Sequence, residues 1–143
     1  MIKELQFKVS NVMDAIEKPF RVTLYSKPAD SPYPGNELID DDIIVFNPGK
    51  KKTVRVDVRK YGIEIPENGF FIGAAILSKE YYSRETIFRG SMDRNQVPGF
   101  RVSNVFKPGG SYTTQWREQS KWVMYWAGKS NMCFSATILV EVK

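Results

Sequence analysis

The side chains of this chain best suited to chemistry by contact are aromatic: Tyr112, Trp116, Trp122 and Trp126, with Tyr81, Tyr82 and Tyr125. Flat aromatic faces stack against sugar rings, and an exposed row of them on a β-sandwich marks a carbohydrate-binding surface. In strand geometry Trp122, Met124 and Trp126 share one face while Val123 and Tyr125 share the other, so part of this set belongs to a core. Trp116, beside Gln115, Arg117 and Glu118, is the tryptophan placed for solvent.

Carboxylates form the second group. Asp40, Asp41 and Asp42, with Asp30 and Glu37 nearby, could supply hard oxygen ligands to calcium, and Asp40 and Asp42 are the candidates on one side of an extended segment. The spacing of a calcium-binding loop is missing, and a solvated acidic turn is the competing reading. Asp57, Glu64, Glu67, Glu80 and Glu85 lie near strand ends. A pair of them at fixed separation is what glycoside hydrolysis needs, but nothing in the sequence pairs any two.

Several chemistries are excluded by composition. There is no histidine, which removes the usual catalytic triads and most transition-metal sites. The single cysteine, Cys133, sits in an apolar run and reads as a small buried hydrophobe. Phosphate-binding and nucleophile-elbow motifs are absent. The net charge of +5 is spread along the chain apart from Lys50, Lys51 and Lys52, which read as a solvated hairpin tip, so no nucleic-acid partner is expected.

The elements that must position these residues are strands. Leu5, Phe7 and Val9 alternate, as do Phe20, Val22 and Leu24, Val54, Val56 and Val58, and Phe134, Ala136, Ile138, Val140 and Val142. Shorter strands are expected at Ile43 to Phe46, Tyr61 to Ile65, Glu85 to Arg89, Phe100 to Ser103 and Trp122 to Trp126. Phe70 to Leu77, "FFIGAAIL", is uncharged and nearly continuous in apolar character, which predicts a strand buried on both faces. Gly73, Ala74 and Ala75 would leave room there for large neighbours, the tryptophans among them. The proline-rich "KPADSPYPGNE" reads as a connection between opposite sheets. About nine short strands without an amphipathic helix predict an all-β fold, an antiparallel two-sheet β-sandwich of jelly-roll type, as one domain over residues 1–143. No uncharged run reaches the ~20 residues of a membrane span, and "MIKELQFKV" lacks the pattern of a signal peptide.

The run "KPFRVTLYS", "PGNELIDDDIIV" and "KTVRVDVRKYGIEIPENGFFIGAAIL", followed by "SKWVMY" and "CFSATILVEV", resembles the C-terminal β-sandwich region of Bacteroidetes surface or secreted proteins with a carboxypeptidase-regulatory-like (peptidase-associated-like) domain. The resemblance covers most of the chain through hydrophobic pattern and turns, and carries no catalytic or binding residue across. It implies a place in the cell envelope or outside, in an adhesion, glycan-handling or accessory role. The chain departs from that family in lacking its prealbumin-type domain and signal peptide, and in having apolar residues around Ala75 where a glutamate is frequent. The resulting expectation is a non-enzymatic module that binds a protein or glycan partner, with calcium as the one cofactor considered. The alternatives are a carbohydrate-binding module using the tryptophans and a carboxylate-pair glycoside hydrolase.

Overall fold

The computed structural model describes residues 1–10, 16–77, 81, 82, 98 and 100, and then the strands at 102–103, 113–116, 121–124, 131–132 and 134–138. The strand expected at Glu85 to Arg89 lies outside the described residues, as do Tyr112, Tyr125 and Trp126. Among the described residues ten strands follow one another: β1 (Ile2–Lys8), β2 (Phe20–Ser26), β3 (Ile44–Val45), β4 (Thr53–Asp57), β5 (Phe70–Ala75), β6 (Val102–Ser103), β7 (Thr113–Trp116), β8 (Lys121–Met124), β9 (Asn131–Met132) and β10 (Phe134–Ile138).

These strands build two antiparallel three-stranded sheets, in the orders β10-β1-β4 and β3-β2-β5, and two small ribbons, β6-β9 and β7-β8. The fold is therefore all-β, with two sheets packed as a sandwich. Alternation decides which side of each strand faces inward. Leu5 and Phe7 of β1 stand opposite Val56 and Val54 of β4, and all four are buried with Phe20, Val22 and Leu24 of β2. The sheets meet through the rings of Phe7 and Phe20, 5.2 Å apart and edge to face, and Phe100 closes the cluster at 5.0 Å from Phe20. Aromatic pairs in this geometry add to the burial of their area.

Several expectations change. The strand β5 flanks β2 instead of occupying the sheet centre among the described residues, and each of its residues is only partly buried. Continuous apolar character marks a strand with two partly covered faces here. The space at Gly73 serves Thr23, its cross-strand neighbour; a Cβ at Gly73 would collide with Thr23 Oγ1, and Thr23 is 3% exposed. Tyr61 to Ile65 is no strand: Arg59–Tyr61 forms a single 3₁₀ turn, closed by Gly62 at φ 59° with its N–H donating to Arg59 O.

The two loops exchange roles as well. The proline-rich segment joins β2 to β3 within one sheet, because its second half folds back along β2: Ser26 N–H donates to Asn36 O at 2.9 Å and Leu38 N–H to Leu24 O at 2.7 Å. The Pro-Gly-Lys turn after β3 instead crosses from one sheet to the other, carrying the chain into β4. Asn47 organises that crossing. Only 5% exposed, it donates through Nδ2 to Ile16 O at 2.7 Å and Lys51 O at 2.8 Å, and accepts from Lys51 N–H at 3.0 Å. One buried and one partly buried carbonyl are thus satisfied by one side chain.

Candidate functional site

The acidic turn is built over the outer side of β2. Arg21, on the side of β2 away from the core, reaches Asp42 Oδ1 at 2.6 Å and Glu37 Oε1 at 2.9 Å. The Glu37 oxygen is buried and meets Arg21 as an ion contact without hydrogen-bond alignment. Partial burial opposes the Arg21 charge, but Glu37 and Asp42 outweigh it and raise the guanidinium's pKa. Burial, reinforced by Glu37, pushes the neighbouring Tyr25 phenol up too.

Asp41 turns to other partners. It accepts from the Tyr61 hydroxyl at 3.0 Å and from Lys60 Nζ at 3.4 Å, while Lys60 lies 4.6 Å above the Tyr61 ring. Hydrogen bonding to Tyr61 and then to Asp41 raises the Lys60 pKa. Leu38, Asp40, Asp41, Lys60 and Tyr61 line a shallow cleft of about 400 Å³. Of the two residues considered for calcium, Asp40 thus lines this cleft and Asp42 is engaged by Arg21. No group of three or more possible metal ligands converges among the described residues. Of the candidate hydrolytic carboxylates, Asp57 is tied to Arg59 through Nε, Nη2 and the backbone N–H, and Glu64 and Glu67 are exposed.

Trp116 and Trp122 belong to the β7-β8 ribbon, where Trp116 is in register with Lys121 and Trp122 with Gln115. The two tryptophans therefore occupy positions of opposite parity in the ribbon. Tyr82, by contrast, is a structural residue. It is buried, donates its hydroxyl proton to Pro19 O at 3.0 Å and accepts from Leu77 N–H at 2.9 Å. The end of β5 is thereby fastened to the start of β2, and burial raises the Tyr82 pKa.

That fastening belongs to a surface the sequence did not single out. In register, Val45 pairs with Phe20 and Ala75 with Arg21, so Phe46 and Ile76 each lie one residue past these pairs at the same end of the sheet. Phe46 is 64% exposed, Ile76 56% and Tyr81, next to the fastening Tyr82, 47%. The crossing turn held by Asn47 brings Lys50, Lys51 and Lys52 to this end, where Lys52 O accepts from Val9 N–H at the end of β1. A large apolar residue immediately before Asn-Pro-Gly and three lysines was the available signal. It reads as a strand residue as long as the strand is assumed to include Phe46.

Comparison with protein-family models, with curated proteins and with solved structures yields no match. No described helix is long and apolar enough to cross a membrane.

Proposed function

We propose that this chain is a non-enzymatic β-sandwich module of jelly-roll type that works by binding at its surface, through the end where Phe46, Ile76 and Tyr81 emerge. The crossings from one sheet to the other between β1 and β2, β3 and β4, and β4 and β5 support the jelly-roll winding. The observation that carries the binding reading is the gathering of three large, well-exposed apolar side chains at one end of a folded sandwich. Single exposed hydrophobics are ordinary on a protein surface, whereas a cluster rimmed by charge marks an interaction site. At the opposite end Met1, Ile65 and Ile138 are less exposed and sit among Glu4, Asp57, Arg59 and Glu64. The family resemblance points the same way, toward an accessory role in the cell envelope or outside.

A second reading, carbohydrate binding through Trp116, Trp122 and Trp126, has the first two in one ribbon but at positions of opposite parity, so each would have to act on its own face. The two readings separate in one comparison of wild type, F46S/I76S and W116A. Affinity electrophoresis on polysaccharides, flotation with liposomes and sedimentation velocity for self-association supply the readouts. The expected result is that F46S/I76S keeps the wild-type unfolding midpoint and loses a binding activity that W116A retains. A double variant that keeps every binding activity of the wild type overturns the proposal, as does glycosidic turnover by the wild type.

A further inference from the structure

We infer that this end of the sandwich docks on the surface of an anionic lipid bilayer, a partner class that rests on the binding reading above. The strand termini at this end carry Lys8, Lys18, Lys50, Lys51 and Lys52 against Glu17 among the described residues. Glu17 takes up one of the five, Lys50, at 3.7 Å. Lys51 and Lys52 are exposed and have no ion-pair partner among the described residues. The two sides of the tip are therefore complementary to the two layers of a membrane interface, cations to lipid phosphates and apolar side chains to the acyl boundary below them.

The spacing of the apolar side chains fits entry at separate points of a bilayer surface. Phe46 and Ile76 end the two strands on either side of β2, which places their backbones ~10 Å apart at two strand spacings. Both follow directly on the last paired residues of their strands and are well exposed, so they can enter an apolar layer as separate wedges. Those wedges are held in advance. The Asn47 hydrogen bonds fix the turn that carries Phe46, and the Tyr82 hydroxyl fixes Leu77, next to Ile76. Less ordering of the backbone next to Phe46 and Ile76 is then needed on binding, which lowers its entropic cost. The attraction of each lysine to an anionic surface falls off within a Debye length, so binding must weaken as salt is raised.

Vesicle flotation of the whole chain tests this. Wild type is expected to float with phosphatidylcholine vesicles holding about 30 mol% phosphatidylserine and to stay behind with pure phosphatidylcholine. K51E/K52E and, independently, F46S/I76S should each reduce the partition coefficient by about tenfold or more, with unchanged unfolding midpoints. F46W should be quenched by brominated acyl chains beyond the wild-type level, a signal that requires insertion. Equal flotation with both vesicle types, no flotation at low salt, or flotation indifferent to F46S/I76S overturns the inference. So does binding to heparin that matches vesicle binding and ignores F46S/I76S, which would assign the lysines to a soluble polyanion. If vesicles fail while F46S/I76S loses another ligand, the lipid partner falls and the binding end stands; if the double variant loses nothing, both fall.

Discussion

At Gly73 the space for a side chain is already filled by the Thr23 hydroxyl, which would collide with any Cβ built there. The position needs glycine for room. Gly73→Val should destabilise the chain by ~1–3 kcal/mol through overpacking, read as a lower midpoint in urea. The cause can be isolated. Thr23→Ala removes the obstructing Oγ1, so Gly73→Ala should be costly alone and much less so in the Thr23→Ala background; a double-mutant cycle with no coupling would place the obstruction elsewhere. Asp57 gives a second residue-level test. The Arg59 side chain, then its backbone N–H, lower the Asp57 pKa from 3.8 to about 2. The depressed folded value means that the stabilisation is complete above the unfolded value and is lost as pH falls through about 2. Asp57→Asn should therefore lower the thermal midpoint modestly at neutral pH, with a gap that closes on acidification and narrows in salt, because the pair is exposed. A gap that stays constant down to pH 2 would contradict the pairing.

Two side chains organise whole elements. Asn47→Ala leaves the carbonyls of Ile16 and Lys51 without their donor, and a loss of about 2 kcal/mol is expected, chiefly from the buried Ile16 carbonyl, with faster amide exchange across the crossing turn. Tyr82→Phe removes the link between Leu77 and Pro19 at a cost of about 1 kcal/mol; unchanged stability would show the hydroxyl to be dispensable. The strands themselves were largely legible, because β1, β2 and β4 alternate with one face toward the core, as in Val54, Arg55, Val56 and Asp57. The connections were less so. Proline content says that 27–37 is stiff but not where it goes, and the destination is set by backbone bonds such as Ser26 to Asn36. The run Phe70 to Leu77 misleads for a related reason: apolar character on both faces does not distinguish a fully buried strand from one half-covered on each side. Ile63 is buried and Ile65 exposed, although alternation would place them on one face, because the segment after Gly62 is not a strand.

On the scale of the molecule, charge and apolar exposure coincide at one end. Lys50 to Lys52 were visible as a run, yet their meaning depends on Phe46, Ile76 and Tyr81, which are distant in sequence and come together only through the register of β2 with β3 and β5. The acidic turn was equally visible, and its division between Arg21 and the Lys60–Tyr61 pair was not, since those partners lie 19 to 21 positions away. Carboxylates divided in this way brace the turn where it folds back over β2. The most direct test of the binding end is a map of amide shifts on the labelled chain titrated with bicelles of phosphatidylcholine and phosphatidylserine. Shifts centred on residues 46–52, 76–77 and 81 are expected, and shifts centred on 113–116 and 121–124, or none at all, would contradict it.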